Sequence, residues 1–404
     1  MRVLMLNAFH WVKGGVERTM FDETRWLEAA GNEVAHFATA DPRNRPSPFA
    51  RHFAPAADFG EDAPAWRQLP QLPRAVWSAP AARALAGLLA EWRPDVAHVH
   101  APSRYLTPSV IAELERAGVP TVMTLHDFKP WCTNRLLFAR GAVCERCRGG
   151  RHWHAATTGC VQHSYLKSAV GAAEAYAHDR RGAYRSIRRW IAPSEFVRAK
   201  ATELGADAAR LRVLLHGVEP AAATPGPATA LPERFALYAG RLSEEKGVHA
   251  LPALALAIEP VPLLVAGGGP LEAELRRSAT GNLRLLGHLP DDALAAVRAR
   301  ASVVIVPSLF PETFGYAVAE AQLDARAVVA SRIGALTELV THEVTGLLVP
   351  PGDAAALAGA TTRALSDPAA RGWGEAAQAR ARSAFAPAAH VQGLVGIYEE
   401  AMRA

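Results

Sequence analysis

The chain alternates, twice over, between short runs of β-branched and leucine-rich residues and longer stretches whose apolar residues recur with helical spacing. A short apolar run with no polar face suits a strand covered on both sides, and strands separated by helices must run parallel. In the first half the expected strands are Arg2–Asn7, Glu33–Thr39, Val96–His100, Thr121–Leu125, Trp190–Ala192 and Leu211–Leu215. In the second they are Phe235–Ala239, Leu263–Ala266, Leu283–Leu286, Val303–Val306, Ala327–Ala330 and Gly346–Val349. The pattern specifies an α/β chain built on two doubly wound parallel sheets.

A length of 404 residues fits two such domains. The segment Glu219–Pro232 carries Pro220, Pro225, Pro227 and Pro232 with Gly226, so it continues neither a helix nor a central strand. It divides the chain into domains 1–218 and 233–385, and the tail 386–404 is expected as a helix packing back towards the first domain. Half of the residues are hydrophobic and 21% are charged, the balance of a soluble globular protein. A net charge of +5 suits anionic partners such as nucleotide phosphates or a lipid surface without choosing between them. Met1–Phe9 lacks the long apolar core and cleavage site of a signal peptide, and Leu251–Ala266 is interrupted by Pro252, Glu259, Pro260 and Pro262. The expected location is the cytoplasm, with any membrane contact peripheral. Region 41–80 gives no readable period.

Open parallel sheets bind ligands beyond the carboxyl ends of their strands, and the marked residues follow strands. Gly14-Gly15 stands between the first strand and the first helix, where free N–H groups attract anions. The loop Gly240-Arg241-Leu242-Ser243-Glu244-Glu245-Lys246-Gly247 brings two cations five positions apart, able to converge on one diphosphate. In Pro311–Ala321, a helix beginning near Gly315 leaves Glu312 in the preceding loop and puts Glu320 over a turn inside. Carboxylates accept hydrogen bonds from paired sugar hydroxyls, and the free N–H groups of Thr313, Phe314, Gly315 and Tyr316 can bind more. His126 closes the fourth strand and can meet a sugar hydroxyl. Each feature also has a plain structural reading: an ordinary turn, a solvated charged loop, a buried histidine.

In this order the four motifs resemble the retaining glycosyltransferases of family 4 with the GT-B fold, over nearly the whole chain. The resemblance extends to Ile191–Phe196, His216-Gly217-Val218, Gly267-Gly268-Gly269-Pro270 and Gly346–Asp353. It implies that Gly240, Arg241 and Lys246 hold the donor diphosphate and that Glu320 binds the ribose. Glu312, with Thr313, Phe314, Gly315 and Tyr316, would bind the transferred sugar. Gly15 would approach the phosphates or acceptor, Gly287-His288 would flank the base, and His126 would contact the sugar near the reacting carbon. His126, Arg241, Lys246 and Glu312 then form the catalytic set, with no divalent metal required. The implied reaction moves a hexose-type sugar from a nucleoside-diphosphate sugar to an acceptor hydroxyl on a glycan, a lipid-linked glycan or a small molecule. The implied setting is bacterial surface polysaccharide or glycolipid assembly. A nucleotide-sugar epimerase, a phosphorylase or an inactive nucleotide-sugar-binding scaffold are the alternatives.

Cys132, Cys144, Cys147 and Cys160 fall in an insertion at about 130–163. Cys144 and Cys147 have the C-x2-C spacing that lets two thiolates bind one tetrahedral ion, so a structural zinc held by the four is expected. His152, His154 and His163 are alternative ligands, and plain thiols the alternative outcome. Arg181, Arg185 and Arg188 would share a face if one helix ran through them, and eight of the nine tryptophans precede the linker. That combination suits docking on anionic lipid. Aromatics are not interleaved with the arginines as nucleic-acid binding would require, so no nucleic-acid partner is expected.

Overall fold

The computed structural model describes residues 1–56, 72–220, 231–279 and 281–404. In chain order the strands are β1 Arg2–Leu6, β2 Glu33–Phe37, β3 Val96–Val99, β4 Thr121–Thr124, β5 Phe138–Ala139, β6 Ala142–Val143, β7 Arg189–Ala192 and β8 Leu211–Val213. They continue with β9 Ala236–Ala239, β10 Leu263–Ala266, β11 Leu283–Gly287, β12 Val303–Val306, β13 Ala327–Ser331 and β14 Leu347–Val349. The first lobe holds a parallel sheet in the order β2-β1-β3-β4-β7-β8, and the second a parallel sheet in the order β11-β10-β9-β12-β13-β14. Both are doubly wound. The order reverses beside β1 and β3 in the first lobe and between β9 and β12 in the second.

Each expected strand is present, with ends matching or differing by at most two residues. Their apolar runs are buried on both faces. In β1, Leu4 and Leu6 pack with Leu85, Leu88 and Ile111 on one side of the sheet. Val3 and Met5 pack with Trp26, Leu394 and Tyr398 on the other. Each such side chain contributes roughly 1.5–3 kcal/mol on burial. The second sheet divides its core in the same way, Leu237 and Val304 to one side and Tyr238 and Ile305 to the other.

Helix Pro387–Arg403 belongs to the first lobe in space. His390, Leu394 and Tyr398 are buried along it, and Leu394 and Tyr398 pack against Val3 and Met5 of β1. Just before it, the Val218 N–H donates to the Phe385 carbonyl at 2.9 Å, tying this return to the end of the first lobe. Part of the proline-rich segment, 221–230, and part of region 41–80, 57–71, lie outside the described residues.

The expected arginine face does not form. Helix Tyr165–Arg181 ends at Gly182, whose left-handed backbone (φ 60°, ψ 39°) closes it. Arg185 lies beyond that cap, and Arg189 enters β7. Arg188 Nη1 donates to the Ala401 carbonyl at 2.9 Å and Arg189 Nε to Glu400 Oε2 at 3.0 Å, so these cations anchor the C-terminal helix. Trp26, Trp92 and Trp190 are buried in the core, whereas Trp153, in the insertion, is half exposed. Among the described residues no helix is long and apolar enough to cross a membrane. The antiparallel hairpin β5–β6 inside the insertion was not anticipated, because two-residue strands carry no period.

Candidate active site

The loops that leave β9 and β12 meet at the switch point of the second sheet. After β9 the chain makes a short turn of 3-10 helix, Glu244–Lys246, closed by Gly247 at φ 71°. A Cβ at Gly247 would fall 2.0 Å from the Pro307 carbonyl oxygen, so the residue must be glycine for the two loops to touch. That approach brings Lys246 Nζ to 2.7 Å from Glu312 Oε1. Ser308 Oγ donates to the same oxygen at 2.7 Å, and Glu312 is almost fully buried. Arg241 reaches outward and is exposed, while its carbonyl accepts the Tyr238 hydroxyl at 2.8 Å. Gly240 donates its N–H to the Ala266 carbonyl at 3.0 Å. Gly287 ends β11 and accepts the Gly267 N–H at 2.7 Å, which leaves His288 exposed at the edge of the same loop cluster.

Gly315, at φ 106°, precedes helix Tyr316–Leu323, so Glu312 lies in the loop and Glu320 inside the helix. Glu320 is buried, and both of its oxygens meet guanidinium groups. Arg298 Nη1 donates to Oε2 at 2.7 Å, and Arg18 of the first lobe donates to Oε1. Arg298 also reaches Asp324 Oδ2 at 2.6 Å.

The first lobe closes over this helix. An added Cβ at Gly15 would stand 3.5 Å from the Tyr316 ring, and Thr19 Oγ1 shares a hydrogen bond with the Tyr316 hydroxyl. Thr313 Oγ1 donates to the His126 carbonyl at 3.1 Å, and Ser194 Oγ donates to the Thr313 carbonyl at 2.9 Å. Phe314 packs its ring edge-on to His216, 5.0 Å between centroids. His126 is thereby held at the seam. Its ring stacks between His100 and His216, and His216 stacks on Tyr316, with centroids 5.2, 5.3 and 5.5 Å apart. Burial holds the His126 ring well below the usual histidine range, so it is neutral at neutral pH.

The structure thus brings Lys246, Glu312, Thr313 and Phe314 together with His126 and Gly15 along one seam, with Arg241 and His288 at its open side. Sequence reasoning missed Arg18, Arg298, Glu23, His100 and His390, and marked His216 within a family segment without giving it a role. Arg18 stands one turn into a helix already marked as anion-attracting, and His98 and His100 fall on one face of β3 and its extension, so both carried a usable signal. Arg298 and Glu23 come from helix interiors with no local mark.

All four cysteines are free thiols and line one small cavity, with His154 beside them. Burial pushes Cys132 up to about 12 and Cys160 up to about 11. Among the described residues, no three of these sulfurs come within 4.8 Å of one another; the group that does is Glu23, His98 and His100. His152 faces Asp179 at 2.8 Å. His163 faces Glu244 of the second lobe at 3.4 Å, so the insertion touches the Arg241–Lys246 loop.

Two facing doubly wound lobes with this seam define a GT-B glycosyltransferase, and comparison with known proteins gives the same class. Residues 13–222 match the family described as Glycosyltransferase Family 4, and residues 233–367 the one described as Glycosyl transferases group 1. The chain is 31% identical to the glycogen synthase of Mycobacterium tuberculosis over 95% of this chain and 89% of that one. It belongs to the family 4 glycosyltransferases. Its fold is similar to that of sucrose-phosphate synthase from Thermosynechococcus elongatus, with a TM-score of 0.72, 23% identity, and 99% and 98% of the two chains covered. It is also similar to Anabaena Alr3699/HepE in complex with UDP-glucose, with a TM-score of 0.68, 20% identity, and 98% of each chain covered.

Proposed function

We propose that this glycosyltransferase is a retaining enzyme that moves a hexose-type sugar from a nucleoside-diphosphate sugar to an acceptor hydroxyl in polysaccharide or glycolipid assembly. The observation that carries the reading is the pairing of Lys246 with Glu312 at the switch point, 2.7 Å apart and beside the first lobe. A cation and a carboxylate placed there can serve the two ends of one donor, diphosphate and sugar. The Anabaena neighbour, crystallised with UDP-glucose, supports a nucleotide-sugar donor.

In this mechanism Arg241 and Lys246 stabilise the charge that grows on the diphosphate as the glycosidic bond breaks. The acceptor oxygen bonds to the anomeric carbon from the same face, and its proton passes to the departing phosphate oxygen. Glu312 orients sugar hydroxyls and forms no bond to carbon. Glu320 serves the ribose by exchanging one of its guanidinium contacts for hydroxyls. His126 contacts the sugar beside the reacting carbon, and Gly287-His288 borders the base. No divalent metal takes part in the transfer. The test is release of nucleoside diphosphate from a panel of nucleotide sugars, with and without glycan and glycolipid acceptors. Release that depends on the acceptor, with the donor's anomeric configuration kept in the product, is expected. Interconversion of nucleotide sugars without acceptor would replace transfer by epimerisation.

The four cysteines bind a structural zinc in this reading, supported by their shared cavity and the C-x2-C pair, and the ion would draw together sulfurs of which no three now stand within 4.8 Å of one another. The zinc would hold the insertion whose His163 reaches Glu244. Metal analysis of protein purified without chelator is expected to give about one zinc per chain; a metal-free protein with four freely titrating thiols would remove the site.

A further inference from the structure

We infer that Glu23 and His100 act through His126, fixing which nitrogen of its ring carries the proton and leaving the other as a hydrogen-bond acceptor towards the donor sugar. The inference rests on the reading of His126 as the group beside that sugar. Five elements supply the parts. β3 and the residue after it carry His98 and His100, the loop after β4 carries His126 two residues past the strand's end, and helix Gly15–Ala29 carries Glu23. Helix Pro387–Arg403 carries His390, and His216 follows β8. Glu23, His98 and His100 are buried to within 1% of complete exclusion from solvent.

The protons can be placed in sequence from the oxygen acceptors. His390 Nδ1 is 2.7 Å from the Leu215 carbonyl and Nε2 is 3.0 Å from Glu23 Oε1. The Leu215 carbonyl can only accept, so Nδ1 carries a proton, and Nε2 shares a hydrogen bond with Glu23 Oε1. The second oxygen, Glu23 Oε2, has no hydrogen-bond partner in range, and neither has His100 Nε2. The two orphans face each other at 3.5 Å. A lone pair aimed at a carboxylate would be repelled there, whereas an N–H is attracted, so Nε2 of His100 carries the proton. His98 Nδ1, at 3.6 Å from the same oxygen, already has the Tyr398 hydroxyl at 2.8 Å, and its Nε2 has Thr124 Oγ1 at 2.7 Å.

Burial keeps His100 neutral, so its Nδ1 is a lone pair. That lone pair faces His126 Nε2 at 3.0 Å and fixes the proton on Nε2 of His126. His126 is neutral too, so its Nδ1 is an acceptor, and among the described residues the ring's hydrogen bond runs through Nε2 alone. A sugar hydroxyl would supply the missing hydrogen. Glu23 is a positioning residue, two rings away from the chemistry. A divalent ion held by Glu23, His98 and His100 would reverse the order, since it would take the His100 Nε2 lone pair and push every proton along the row the other way.

The test is nitrogen NMR of full-length, unliganded protein labelled with 15N-histidine, with His126 assigned by loss of its signals in His126→Gln. The expected wild-type result is His126 protonated on Nε2 and bare on Nδ1, unchanged by chelator. Protonation on Nδ1, or a tautomer that reverses when chelator removes a metal, overturns the proposal. In Glu23→Gln the neutral amide no longer imposes the order, so the two His126 tautomers should mix while affinity for whichever of UDP, GDP and ADP binds the wild-type protein changes less than about twofold. A wild-type tautomer kept intact in a folded Glu23→Gln protein also overturns it. If that variant fails to fold, the wild-type spectrum still decides. Since the spectrum is read without donor, a failure of the transferase reading would appear instead as absence of binding to UDP, GDP and ADP alike.

Discussion

At the residue scale the site depends on a few contacts that leave no room for substitution. Lys246 and Glu312 hold each other at 2.7 Å, so a diphosphate entering the seam meets a lysine already oriented. Lys246→Ala and Arg241→Ala are each expected to lower turnover by on the order of 100–1000-fold, measured as steady-state release of nucleoside diphosphate. Near-normal rates in both would remove these residues from the reaction. Gly247→Ala has a structural consequence instead. Its methyl would strike the Pro307 carbonyl oxygen at 2.0 Å, and a loss of roughly 2 kcal/mol or more is expected in urea denaturation. Arg241, Lys246 and Glu312 were legible in the sequence because each sits in a loop that follows a strand, and Glu320 because it lies one turn into the helix that such a loop opens. Arg298 and Glu23 were not, since only the packing of helix against helix brings them to the seam.

At the scale of elements, the strands were legible because burial on both faces leaves continuous apolar runs such as Val303–Val306. The arginine-rich stretch misled, because helical spacing was read through Gly182, a residue able to adopt the left-handed turn that ends the helix. The histidine-bearing ends of β3 and β4 carry a pH prediction. Burial holds His98, His100, His126 and His216 well below the ordinary value of 6.5, so the folded rings stay neutral while unfolded ones take up protons as pH falls through 6.5. The unfolded chain then binds more protons, and the stability these rings contribute above 6.5 is lost as pH falls below it, by up to about 1.4 kcal/mol per pH unit for each ring. Urea midpoints should therefore fall between pH 7.5 and 5.5, and fall less steeply in His98→Asn. A midpoint independent of pH over that window would contradict the buried neutral cluster.

At the scale of the molecule, the two lobes meet through side chains that line the candidate site. Arg18 on Glu320, Thr313 on the His126 carbonyl, and Ser194 on the Thr313 carbonyl all cross the seam. Glu338 Oε2 adds another crossing by accepting the Glu195 N–H at 2.9 Å. Arg18→Ala should loosen this closure and raise the radius of gyration seen by small-angle scattering of the unliganded protein; identical scattering curves would show that the bridge does not hold the lobes. The two-lobed plan was visible in the sequence, whereas the pairing of residues across it was not, because no local pattern records which loop faces which.

In the proposed transfer, Arg241 and Lys246 grip the diphosphate of a sugar nucleotide. Calorimetric titration with UDP, GDP and ADP tests it without knowledge of the acceptor. At least one of the three should bind the wild-type protein, and Arg241→Ala and Lys246→Ala should each weaken that binding by about tenfold or more. Binding that both variants keep in full, or a wild-type protein that takes none of the three, would contradict the account.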